Sequence, residues 1–243
     1  AEPRLAGGAV EWVERVERLG RRDAWRLLFD DYRSAGGRIR AARPVRGDDW
    51  IKLPRGIRRL KEISPVSSPV ARHIERFLSE QWGLAWRHGV DWDLGVCWFG
   101  LYARRVIIPI RMPHPVGFQA RALLLRQEPK YRTSMYQIEC GRPASAMLFN
   151  YDSAVRGVEL LLVEGPGDVM RWHRDDRDRR PRALGLLGIA MTPEKLALVA
   201  ACEPSRVVVA LDDEPAAQRR ARQHAEDLRA GGCEVDMGSW VGA

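Results

Sequence analysis

Apolar positions along the 243-residue chain change period from one stretch to the next. Residues 9 to 31 place Val10, Val13, Val16 and Leu19, then Ala24, Leu27 and Leu28, at helical spacing. Gly20 splits this run into two amphipathic pieces and Gly36-Gly37 closes the second. Residues 38 to 61 hold nine Lys or Arg against only Asp48 and Asp49, with Pro44, Pro54 and glycines between them. That composition reads as a mobile basic linker able to track phosphates. Helical spacing returns after Ser68-Pro69, with Val70, Ile74, Phe77 and Leu78 on one face and Gly83 as the stop.

Shorter apolar runs follow. Leu94–Trp98, Arg105–Ile110 and Val116–Leu125 read as strands, and Pro113 and Pro115 mark a hairpin turn between the second and third. From Leu160 the chain alternates regularly: LLLV, a helix after EGPGD, a hydrophilic bulge RDDRDRRPR, and the strand ALGLLG. Next come TPEKLALVAAC with Thr192 as cap, Pro193 in the first turn and Glu194 early in it, then RVVVAL, a helix opened by Pro215 and ended by Gly231-Gly232, and CEVDM. All-apolar runs separated by helices predict parallel strands buried on both faces, in a doubly wound α/β unit.

Functional groups in such a sheet gather beyond the carboxyl ends of the strands. Glu164 stands at the end of LLLV, and Asp212, Asp213 and Glu214 follow RVVVAL. If the two strands are neighbours, Glu164 faces Asp212 and Glu214, a closeness that needs a bound cation or raised pKa values. Ligands that are all oxygen favour Mg²⁺ or Mn²⁺ and phosphoryl or nucleotidyl transfer. Asp213 is a weaker candidate, and Asp168 either caps the following helix or joins the chemistry. The plain alternative is a set of solvated acidic loop ends.

Charge sharpens this picture. The formal net charge is +8, but residues 1 to 152 carry 27 Lys+Arg against 17 Asp+Glu, whereas the remainder carry 13 against 15. A basic first part joined to an acidic second part suits a polyanion and a cation in one molecule. Only Lys52, Lys61, Lys130 and Lys195 are lysines, so part of the arginine excess is compositional habit, and a solvated basic face is the competing explanation. Arg121 and Lys130, beyond the hairpin, are either strand-edge charges or phosphate contacts.

His73 has no ligand partner at metal spacing and reads as a surface residue. Cys97, Cys140, Cys202 and Cys233 are too scattered for a zinc ribbon or a disulfide framework and read as reduced core residues. No run approaches the roughly 18 apolar residues of a membrane span. The first residues lack a signal-peptide layout, which makes cytoplasmic the default location.

The residues from 164 onward resemble the TOPRIM domain of DnaG-type bacterial and phage primases, topoisomerases and several nucleases. The family's Glu-Gly and Asp-x-Asp marks correspond to Glu164-Gly165 and Asp212-Asp213-Glu214, with Glu214 an acidic departure and Ala217 where a glycine is common. Asp168 fits the aspartate that primases carry after the EG turn. Ahead of these, GLYARRVIIPI, VGFQARAL, PKYRTS and LFNYDSA resemble, in order, the stretch that precedes TOPRIM in primases. The resemblance covers roughly residues 68 to 236 and selects primase within the wider group.

It implies an α/β protein: a basic α+β N-terminal subdomain followed by a TOPRIM fold with a Rossmann-like parallel sheet. The expected divisions are 1–62, a helical segment and linker; 63–155, the basic subdomain; and 156–243, TOPRIM. It further implies Mg²⁺ or Mn²⁺ held by Glu164, Asp212 and Glu214, with Asp168 and Asp213 nearby. Arg121, Lys130, Tyr131 and Arg105 would meet template and incoming nucleotide. The implied activity is RNA primer synthesis on single-stranded DNA from ribonucleoside triphosphates, beside a replicative helicase and with no membrane. A catalytically degenerate nucleic-acid-binding module and a TOPRIM nuclease are the alternatives. The ends resemble a cut on the carboxyl side of a zinc ribbon and ahead of a further acidic motif.

Overall fold

The computed structural model describes residues 53–54, 56–65, 69–112, 114–124, 126–133 and 146–238. The two amphipathic pieces expected within residues 9 to 31, and most of the basic linker, lie outside the described residues.

Two sheets organise the chain. The first is an antiparallel meander of β1 (Ile57–Arg59), β2 (Gly95–Cys97), β3 (Arg105–Met112), β4 (His114–Ala122) and β5 (Tyr131–Thr133), in that spatial order. The expected hairpin is its centre, with Val106 opposite Arg121 and Ile108 opposite Gln119. Two helices, α1 (Pro69–Trp82) and α2 (Trp86–Asp91), connect β1 to β2. Sequence periodicity missed α2, a helix too short to show an apolar stripe.

Two other expectations need correction. Ile57–Arg59, read as linker, pairs with β2 in register Ile57 to Cys97, so the linker ends earlier than Lys61. Two arginines in a three-residue strand had masked it. Val70 is 37% exposed, and Ala71 takes its place in the core beside Ile74, Phe77 and Leu78.

The second sheet is parallel, in the order β7 (Arg182–Gly185), β6 (Leu160–Val163), β8 (Val207–Val209), β9 (Val235–Met237). Helices α3 (Pro166–Trp172), α4 (Pro193–Ala201) and α5 (Pro215–Ala230) separate the strands in sequence. Thr192 caps α4 as expected, its side chain accepting from the Lys195 amide at 3.3 Å. The strands are shorter than the apolar runs. β7 stops at Gly185, and Leu186–Gly188 becomes loop with Leu187 at φ 60°. β8 stops at Val209, and Ala210 and Leu211 stay buried in the loop beyond.

One hydrophobic core crosses both sheets. It runs from Ile74, Val106 and Ile108 through Phe149 to Leu160, Val207 and Leu228, while a small satellite of Cys97, Tyr102, Ile107, Phe118 and Ala120 fills the other face of the meander. An antiparallel bridge between Phe149 and Gly185 ties the incoming chain to the parallel sheet's edge. Arg171 donates to the carbonyls of Gln81 and Trp82 at 3.3 and 3.4 Å, and Arg174 to Gly83 at 3.2 Å. These donors satisfy carbonyls that end α1 and fasten α1 to α3. Cys97 and Cys202 are buried, the Cys202 thiol donating to the Leu198 carbonyl at 3.4 Å, and no described helix is long and apolar enough to cross a membrane.

Candidate active site

β6 and β8 are neighbours, which brings their acidic ends together. The register continues past the strands: Ala210 donates to the Leu162 carbonyl at 2.9 Å, and the Asp212 amide donates to Glu164 Oε1 at 3.4 Å. Glu164 is half-buried, and burial pushes its pKa up first; the charges of Asp212, Asp168 and Glu214 push it further, against the opposing bond from the Asp212 amide.

Asp168 sits in the first turn of α3 and accepts from the Gly165 N–H at 3.2 Å, which closes the turn after Glu164. Its pKa is also raised, by burial and then by Asp212. The helix-capping role and a place in the acidic cluster therefore coexist. Gly165 and Gly167 are not left-handed residues; Gly165 is extended, with φ −138°. Gly167 is needed for space, because a Cβ there would lie 2.6 Å from the indole Nε1 of Trp82.

Asp213 and Glu214 are exposed at the start of α5. Glu214 reaches Glu164 only as the weakest of the named charges, and Asp213 stands outside the cleft lining. Among the described residues, no group of three His, Cys, Asp or Glu side chains is close enough to enclose a metal ion. Glu164, Asp168 and Asp212 instead share one wall of an open cleft of about 500 Å³.

The opposite wall comes from the meander and α1. Arg121 is buried on β4, with its guanidinium carbon 4.9 Å from the Tyr131 ring centroid and 5.8 Å from that of Phe77. Burial lowers its pKa, yet an arginine shifted from so high a value stays charged. Burial likewise raises the Tyr131 phenol, an effect that the nearby Arg121 charge opposes. Lys130 is exposed at the cleft's rim.

Arg105 differs from this group. It is 1% exposed, and its guanidinium donates to the carbonyls of Pro129 at 2.8 Å, Ala120 at 3.3 Å and Glu128 at 3.4 Å. Its Nη donors go to backbone carbonyls and support the loop that presents Lys130 and Tyr131, while its Nε is buried without a hydrogen-bond partner.

Sequence reading missed four contributors. Trp82, at the end of α1, walls the cleft beside Gly167; Leu187 and Gly188 floor it after β7; and Gln119 lines it two residues before Arg121. The signal for Gln119 was present, as one amide at an inward position of a strand whose alternation puts Phe118 and Ala120 on the other face.

Fold and cleft together define a mixed α/β architecture, with an antiparallel half that carries the basic wall of the cleft and a parallel half that carries the acidic wall. The chain has the fold of the RNA polymerase domain of DnaG-type primases. The zinc-binding and RNA polymerase domains of the Aquifex aeolicus primase superpose with TM-score 0.59 at 18% identity, over 96% of this chain and 64% of that one. The RNA polymerase domain of Mycobacterium tuberculosis DnaG gives 0.57 at 18%, over 71% and 70%. The primase fragment of the bacteriophage T7 primase-helicase gives 0.51 at 14%, over 66% and 64%. This chain thus spans a little under two thirds of the Aquifex and T7 structures. No family model and no curated protein matches the sequence.

Proposed function

We propose that this chain is the catalytic segment of a DNA primase, joining ribonucleoside triphosphates into short RNA on a single-stranded DNA template. The observation that carries the reading is one cleft with Glu164, Asp168 and Asp212 on one wall and Arg121, Lys130 and Tyr131 on the other. That pairing suits a substrate with anionic phosphates and a divalent cation.

The parallel half is read as a TOPRIM domain and residues 63–155 as the basic subdomain. The donor set fits Mg²⁺ or Mn²⁺: the carboxylates are oxygen ligands, burial and then neighbouring negative charge raise the pKa values of Glu164 and Asp168, and such ions bind through one or two carboxylates plus substrate phosphates. When bound, the metal would supply Lewis-acid activation of the α-phosphate and charge relief for departing pyrophosphate. Glu164 would be the principal ligand with Asp212, and Asp168 would hold the turn that aims Glu164. Glu214 and Asp213, exposed at the start of α5, would add negative charge near the ion. Arg121 and Lys130 would receive phosphates, and Tyr131 keeps the Arg121 plane oriented.

Related folds have been seen on DNA: the Mycobacterium tuberculosis domain was solved with a double-stranded oligomer carrying a 6-nucleotide overhang. The T7 neighbour belongs to a primase-helicase, which motivates a replicative helicase as partner here. The open acidic cluster favours one competing reading, a module that binds single-stranded nucleic acid without catalysis. Template-directed synthesis of oligoribonucleotides with Mg²⁺ or Mn²⁺ tests the proposal. Synthesis by the wild type and its loss in Glu164→Gln are expected. Tight, salt-sensitive DNA binding without synthesis or metal binding would replace the proposal with the binding module, and strand cleavage would replace it with a nuclease.

A further inference from the structure

Gln119 is the neutral polar side chain buried in the basic wall of the cleft. It lies mid-strand in β4, paired with Ile108 on one side and Thr133 on the other. It is 5% exposed, and its Oε1 is buried without a hydrogen-bond partner in the structure. Alternation along β4 puts it on the same face as Arg121, whose Nε is also buried and unpartnered. The neighbours Phe118 and Ala120 turn into the satellite core on the other face. A carboxamide here costs stability that an apolar residue of similar shape would not, unless a ligand in the cleft completes its hydrogen bonding.

The geometry points to Gln119 as a specificity-determining residue that accepts a hydrogen bond from a donor on the sugar or base of the bound nucleotide. This inference rests on the proposed nucleotide cleft. The charges around Gln119 narrow the chemistry. Phosphate oxygens carry no donor for an amide carbonyl and are matched by Arg121 and Lys130, while the acidic wall takes a cation. A carbonyl acceptor suits a ribose hydroxyl or an exocyclic amino group. A site built around such a bond discriminates against an analogue lacking the donor, because the buried acceptor then stays unpaired.

The test is calorimetric titration of the full chain with each of the four ribonucleoside triphosphates and their 2′-deoxy forms, in wild type and Gln119→Leu, with Mg²⁺ present. Thermal unfolding and single-stranded DNA affinity are measured alongside. The expected result is an affinity loss of about tenfold in the variant, confined to nucleotides that carry the donor, with unchanged DNA binding and an unfolding temperature equal to or above wild type. Loss with all four ribonucleotides and none of the deoxy forms identifies the 2′-hydroxyl. Loss with the adenine, cytosine and guanine nucleotides in both sugar series, and none with the uracil nucleotides, identifies the amino group. Nucleotide binding by wild type that Gln119→Leu leaves unchanged overturns the inference alone. Failure of wild type to bind any nucleotide overturns it together with the primase reading.

Discussion

The Asp212 amide donates to Glu164 Oε1 at 3.4 Å, a long bond that is the main offset to the charge crowding around Glu164. A raised folded-state pKa on a carboxyl means that the ionised form is disfavoured by folding. Its stability contribution is therefore largest at low pH and is lost as pH rises through the shifted range. Glu164→Gln removes that burden. Its unfolding temperature at pH 7.5 is expected to rise by about 1–4 °C, while the further rise that Mg²⁺ or Mn²⁺ gives the wild type disappears. Calorimetry with and without metal reads both effects.

Gly167 and Trp82 define a contact without slack. Gly167→Ala drives a methyl to 2.6 Å from the indole nitrogen, against a ring packed edge-on to Phe77 at 5.0 Å. The expected cost is about 1–3 kcal/mol in urea unfolding, and the displaced ring narrows the cleft. Unchanged stability would show that α1 can shift away from α3.

Arg105 and Lys130 separate by the salt dependence of DNA binding. Lys130→Ala is expected to lower the slope of log affinity against log salt by about one, the signature of one lost phosphate contact. Arg105→Met should leave that slope unchanged and cost about 2–3 kcal/mol of stability, because buried carbonyls at Ala120 and beyond lose their donor. Fluorescence anisotropy over a salt series, with denaturant unfolding, distinguishes the two roles.

Lys195 is buried at the foot of the cleft's floor loop and donates to the carbonyls of Leu186 at 2.5 Å and Ala190 at 3.1 Å. Burial drives its pKa down to about 8 from 10.5. Between those two pH values the unfolded chain holds a proton that the folded chain has released, so wild-type stability gains a rising component as pH increases across that window. Lys195→Met is expected to lack this component, flattening the profile of unfolding free energy between about pH 8 and 10.5.

Much of the parallel half was legible because buried strands there are uninterrupted runs of Leu and Val, and the proline-opened helices after them leave little freedom in assignment. The nearness of Glu164 to Asp212 followed once β6 and β8 were adjacent. β1 was illegible for the opposite reason: two arginines in three residues look like linker, and only pairing with β2 makes them a strand. The support that Arg105 gives its neighbouring loop was illegible because sequence shows a charge but not the carbonyls its guanidinium meets. Trp82 and Gln119 belong to elements whose motifs lie elsewhere, and their place at the cleft depends on how the two sheets pack.

The core that passes without interruption from Ile74 to Leu228 makes the two sheets inseparable in a practical sense. Cutting the chain between residues 155 and 156 would strip apolar surface from both products. The acidic and basic walls of the cleft are thus carried on one packed body, and their spacing is set by that packing.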